Sequence, residues 1–140
     1  MRRQANRTRS SRARRIQAVQ DIIRDILKIR HGAKCQFCGR KEDLGVFHIL
    51  PVGLYPKIRF FMQNVLLSCW KPCHYTWHHD PHQADRFKAK IAALKGFKTF
   101  AELRDTLLIY DKSAPTLTAF QIGLVEAANR EQLKEMENVG

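Results

Sequence analysis

Two cysteine pairs, Cys35-x2-Cys38 in "CQFCG" and Cys69-x3-Cys73 in "CWKPC", are separated by thirty residues in a chain of 140. Thiolates in two such knuckles can close a tetrahedral zinc shell, with Zn–S bonds of about 2.3 Å. A four-thiolate shell leaves no open coordination position, so this zinc is expected to hold the fold together and not to activate water. Disulfides explain the pattern poorly, because close paired spacing serves a metal better in a reducing compartment. The wider second knuckle departs mildly from the commoner two-residue gap.

Histidines follow at once. The stretch "HYTWHHDPH" supplies His74, His78, His79 and His82, with Asp80 among them, and His48 lies upstream in "VFHIL". If the chain is helical after Cys73, His74 and His78 stand at i and i+4, which puts both imidazoles on one face where they can share a metal. Imidazole pairs favour Mn²⁺, Ni²⁺, Co²⁺ or Zn²⁺, whereas Mg²⁺ prefers oxygen and would lean on Asp80. A neutral imidazole at His48, with an ordinary pKa of about 6.5, is suited to take a proton from water near neutral pH.

Read in order, His48, Asn64, His74 and His78 across the two cysteine pairs resemble the HNH nucleases, also called the ββα-metal or His-Me finger family. That resemblance implies His48 as general base, Asn64 as brace of the loop that orients it, and His74 with His78 as ligands of one catalytic Mg²⁺ or Mn²⁺. The H-x3-H spacing is similar to that of the colicin DNases. A basic helical lead-in, Cys35-x2-Cys38-Gly39, the run Pro56-x-Ile58-Arg59-Phe60, Asn64 and the second cysteine pair together look most like the Rap (NinG) family of lambda-type phage recombination nucleases. This likeness covers about residues 14 to 110 and implies a metal-dependent endonuclease acting on branched DNA, in the cytoplasm of a bacterial host, leaving 5′ phosphate and 3′ hydroxyl ends. Many members carry an acidic residue or a second histidine immediately before the base. Here that position is Phe47, so one ligand is missing or comes from Asp80, His79 or His82. The alternative is a zinc-stabilised nucleic-acid-binding module without catalysis.

These residues need elements to position them. Ile16, Val19, Ile22, Ile23, Ile26, Leu27 and Ile29 recur at helical spacing, and Gly32 suits a left-handed cap at the end of that helix. "AKCQFCGRKEDLG" reads as a zinc knuckle leading into a hairpin, "VFHILPVG" as a strand, and "LYPKIRFFMQN" as a loop or second strand fixed by Pro56. Helical signals return around residues 71 to 78 and again from Asp80, a cap followed by Pro81, with Phe87, Ile91 and Leu94 as the buried stripe and Gly96 as the stop. Thr99 and Glu102 form a capping box for a helix to about Tyr110, and a last helix runs from about Thr116 to Met136. The fold class is therefore α+β, a zinc-stabilised ββα-metal (HNH, treble-clef-like) core with flanking helices. Three parts are expected: a basic flexible arm over 1–15, a helix plus nuclease core over 16–110, and a C-terminal helix over 111–140. Leu117, Phe120, Ile122, Leu124, Val125 and Leu133 on that last helix fit either a homodimer surface or packing onto its own domain.

Charge points to the partner. Lys plus Arg number 25 against 13 for Asp plus Glu, a net charge of +12. The basic head has almost no large apolar side chains to insert into a bilayer, so nucleic acid is favoured over lipid. Arg2, Arg3, Arg7, Arg9, Arg12, Arg14 and Arg15 of the arm, with Lys57, are expected on backbone phosphates. Arg59 serves either as a further phosphate contact or as an anchor for its own loop. No apolar run reaches membrane-spanning length, and no secretory leader is evident at the amino end.

Overall fold

The computed structural model describes residues 11–139. Helix α1 spans Ser11–His31. Strand β1, Leu44–His48, pairs antiparallel with β2, Val65–Cys69, so that His48 faces Val65 and Leu44 faces Cys69. Short turns of 3-10 helix at Pro56–Ile58 and Met62–Asn64 shape the connecting loop. After β2 come a π-helical turn, Trp70–His74, and helices α2 (Tyr75–His79), α3 (Pro81–Leu94), α4 (Phe100–Ser113) and α5 (Ala119–Val139). The chain is thus α+β, with a single two-stranded sheet among the described residues.

Alternation along the strands sends side chains to both faces of that sheet, and helices cover each face. On one side Val46, Val65 and Leu67 pack with Val19, Ile23 and Leu27 of α1 and Ile122 of α5. On the other, Phe47 and Leu66 meet Ile91 of α3 and Leu103 and Leu107 of α4. Burial on both faces explains why "VLLSC" lacks the alternation of a half-exposed strand, with even Ser68 buried, and the second strand sits at Val65–Cys69 rather than in the Pro56 segment.

Local signals set the helix ends. Gly32 adopts φ +75°, and the Ala33 amide donates to the Lys28 carbonyl at 2.8 Å, a Schellman stop for α1. Asp80 caps α3 by accepting from the amides of His82 and Gln83, and Thr99 caps α4 by accepting from the Glu102 amide at 3.2 Å.

Two boundaries differ from the sequence expectation. Residues 11–15, expected in the flexible arm, form the first turn of α1. Arginine is a good helix former, and here Arg12 and Arg15 also donate to the Leu117 and Ala119 carbonyls at 3.1 and 3.4 Å, tying α1 to the start of α5. Arg2, Arg3, Arg7 and Arg9 lie outside the described residues. The fourth helix continues past Tyr110 to Ser113, so the last helical element begins at Ala119. Its inner face, with Ile122 and Val125, and Leu117 just before it pack onto the same domain, while Phe120 and Leu124 remain exposed.

Candidate metal centre and active site

The Sγ atoms of Cys35, Cys38, Cys69 and Cys73 all lie within 4.8 Å of one another, and those of Cys38 and Cys69 are 3.7 Å apart. A tetrahedron with Zn–S bonds of about 2.3 Å has S–S edges of about 3.8 Å, so the four sulfurs fit a zinc ion. No cysteine is in a disulfide.

The first knuckle is built for this. Gly39, at φ +80°, lets the chain turn so that its amide reaches the Cys35 carbonyl at 2.9 Å, and the Phe37 amide points at the Cys35 sulfur at 3.4 Å. Gln36 hooks the knuckle onto β2, giving its amide to the Leu67 carbonyl and taking the Leu67 amide on its Oε1. Lys90 of α3 binds the Phe37 carbonyl at 2.7 Å from the other side.

Burial pushes the Cys35 thiol up, but hydrogen bonds from the backbone at Cys69, Cys38 and Phe37 outweigh it and bring it down to about 7. Burial raises the thiols of Cys69 and Cys73. One sulfur is therefore poised as thiolate, and a bound cation supplies the charge that would hold the others ionised.

Across the hairpin, His48 ends β1 and its Nε2–H donates to the Arg59 carbonyl at 2.9 Å. That bond leaves Nδ1 as the ring's proton acceptor. Burial lowers the His48 pKa, the Arg59 carbonyl partly offsets this, and the Arg59 guanidinium lowers it further. His48 is accordingly a neutral imidazole at pH 7.

Asn64 is fully buried at the end of the same loop. Its Oδ1 accepts from the Leu50 amide at 2.8 Å, and its Nδ2 donates to the carbonyls of Leu50 at 3.2 Å and Ile58 at 3.4 Å. One amide side chain thereby fastens both limbs of the loop that carries Arg59, and so fixes the carbonyl that orients His48. Asn64→Ala is expected to cost about 3 kcal/mol, because the buried Leu50 amide and carbonyl both lose their partner. Denaturant unfolding reads this directly, and a loss within experimental error of zero would remove Asn64 from its bracing role.

His74 closes the π-helical turn and His78 lies in α2. Their Nε2 atoms are 3.0 Å apart. Two adjacent ligands of an octahedral ion, at about 2.1 Å each, stand about 3.0 Å from one another, so the pair matches one edge of a divalent-cation shell. His74 is pressed down to about 4 by burial first, then by the charges of His78 and His48, which keeps it neutral and able to ligate. The rings of Phe47 and Trp70 hold it in place, with centroids at 5.3 and 5.1 Å.

Asp80 does not join this pair. Its Oδ1 is engaged by the His82 and Gln83 amides at 3.1 and 3.2 Å, and among the described residues only the four cysteines form a cluster of three or more metal-ligating groups. Asp80 serves here as the helix cap expected of it, because the chain must turn into α3 at that residue. Phe47, where a ligand was missed, is fully buried in the second core cluster.

Arg59 carries a buried Nε without a hydrogen-bond partner, and its pKa is lowered by burial and by the charge of nearby Arg12. Lys57 lies in the 3-10 turn that precedes Arg59.

Three features at the site were not read from the sequence. Trp70 and Tyr75 stand in the open, 49% and 43% exposed, beside the histidine pair. A cleft of about 250 Å³ runs between α1 and the hairpin, with Trp70 and His74 in its wall. The signal for the two aromatics was one residue inside the second knuckle and one just after it, an ordinary core pattern until the kinked turn sets them outward. Comparison with protein-family models, with curated proteins and with solved structures finds no match.

Proposed function

We propose that this protein is a metal-dependent endonuclease of the HNH type, built on a ββα-metal core and acting on branched DNA. The observation that carries the reading is the His74–His78 pair, with Nε2 atoms 3.0 Å apart after β2, in a chain whose β1 ends on His48 and whose connecting loop is braced by buried Asn64. His48 Nδ1 would accept the proton of the attacking water, while Nε2 stays fixed on the Arg59 carbonyl. Arg59 and Arg12 would hold the phosphate backbone, and the net charge of +12 would draw the DNA in. A divalent cation on His74 and His78, completed by water and phosphate oxygens, would supply Lewis acidity at the scissile phosphate and its leaving oxygen. Its identity is expected to be Mg²⁺ or Mn²⁺, distinct from the zinc in the four-cysteine cluster.

The capping of Asp80 favours a second reading, a zinc-stabilised DNA-binding module, since it leaves only two protein ligands in place. Linear, nicked, flapped and four-way DNA incubated with the protein and added Mg²⁺ or Mn²⁺ separates the two. The nuclease is expected to cut the flapped and four-way substrates faster than linear duplex, in the presence of metal alone. Binding of all four without any cutting would establish the second reading.

A further inference from the structure

Trp70 and Tyr75 belong to no core cluster, although large aromatic side chains usually bury most of their surface. They flank His74 along the kinked turn: the Trp70 ring meets His74 edge-on at 5.1 Å, and Tyr75 stacks on His79 at 4.2 Å. Lys71 sits over the Tyr75 ring at 5.1 Å, placing a cation among the aromatic faces. Aromatic faces interleaved with cations are what binds unpaired nucleotides, since every base has a π-face and every linkage a charge.

Behind Trp70 lies the cleft of about 250 Å³. At roughly 30 Å³ per water it holds about eight waters, room for one nucleobase. Its α1 wall is made of Gln17, Gln20, Asp21 and Arg24, and His74 and Trp70 close the opposite side. These side chains are donors and acceptors suited to the edge of a base. Two carboxylates line the cleft: Asp21 is held by Gln17 at 2.9 Å and Arg24 at 3.5 Å, so it does not oppose a polyanion as a bare charge, and Asp43 stands on the hairpin side. Because His74 is both a wall of the cleft and half of the histidine pair, a base in the cleft places its own phosphate beside that pair.

We propose that this cleft and the Trp70–Tyr75 face bind single-stranded DNA, seating one unpaired base against Trp70 next to the reacting phosphate. The substrate class of the proposed nuclease is then DNA with unpaired nucleotides at the cut, such as the mouth of a flap or an opened branch point. This rests on the nuclease reading only for the purpose of the binding; the binding itself is measured without catalysis.

The test uses the full zinc-loaded chain with no added divalent metal. Affinities for an oligothymidine strand carrying one 2-aminopurine, and for a duplex of matched length, are compared for the wild type, Trp70→Ala and Trp70→Phe. Trp70→Ala is expected to weaken single-strand binding about tenfold, while duplex affinity stays within about twofold. It should also restore the 2-aminopurine emission that stacking quenches in the wild type. Trp70→Phe should keep most of both effects. Equal losses on strand and duplex, no loss on either, or unquenched emission with the wild type would each overturn the proposal. A protein that passes this test and cuts no DNA would refute the nuclease and leave the single-strand site standing.

Discussion

Cys69→Ser is expected to yield a chain that retains no zinc and shows no cooperative unfolding transition. Zinc in small thiolate modules contributes roughly 10 kcal/mol or more of folding free energy, comparable with the whole stability of about 5–15 kcal/mol of an ordinary domain. Cys69 has no slack to absorb the change, because it is fully buried at the last position of β2, opposite Leu44. The sulfurs also organise their surroundings: Phe37, between the first two cysteines, packs edge-on against Phe47 at 5.1 Å and Phe87 at 5.0 Å. Losing the knuckle therefore loosens the strand that carries His48 and the helix that bears Phe87. Native mass spectrometry should count one zinc in the wild type, retained under a chelator mild enough to strip a histidine-bound ion. A wild-type protein that folds cooperatively with no zinc at all would refute the assignment.

His48→Ala is expected to lower DNA cleavage by roughly 10² or more, the usual contribution of a general base, while leaving zinc content and DNA affinity near wild type. The pH profile of the wild type adds a second readout. Burial disfavours the charged form of His48, so its pKa in the folded protein lies below the ordinary value of about 6.5. The base is then still neutral when the pH reaches that value, and the acid limb of the rate profile should fall below it. The same shift acts on stability. As pH drops through about 6.5 the unfolded chain takes up a proton that folded His48 refuses, so the fold loses stability on acidification and keeps it above that range. Full activity in the His48 variant would remove the mechanism and favour the binding module.

Much of this architecture was legible because the signals are local. Asp80 before Pro81, Thr99 three residues before Glu102 and Gly32 at the end of an apolar stripe each satisfy backbone groups within a turn of themselves, so sequence neighbours suffice to read them. The cysteine spacing was legible for a related reason: each pair sits on one tight turn, and only the distance between turns awaits the fold. What resisted reading depends on tertiary company. The β2 run shows no alternation because helices cover both of its faces. Ser11–Arg15 has no apolar stripe, and its helical state is supported by carbonyls more than a hundred residues away. Asp80 carried two plausible roles, and geometry shows its carboxylate capping α3. The outward Trp70 and Tyr75 owe their placement to the kinked turn between β2 and α2, where Lys71 leaves helical geometry with φ −122° and ψ 132°.

The clasp of Arg12 and Arg15 on the first turn of α5 has a consequence for the order in which the molecule assembles on the ribosome. Knuckle and hairpin draw their cysteines only from the segment between Cys35 and Cys73, a short loop whose closure costs little entropy, so a cluster able to hold zinc can gather while the helices that cover the Phe47 face are still being made. Helix α1 emerges first yet finishes last. The bond from Arg12 to Leu117 spans 105 residues, and Val19 and Ile23 share their cluster with Ile122 of α5. Until α5 clears the exit tunnel, that stripe of α1 is incompletely covered while Arg12 and Arg15 lack the carbonyls they bind in the finished fold. Vectorial synthesis thus leaves a basic, sticky helix waiting beside the cysteine hairpin, and docking of α5 is the event that ends the wait.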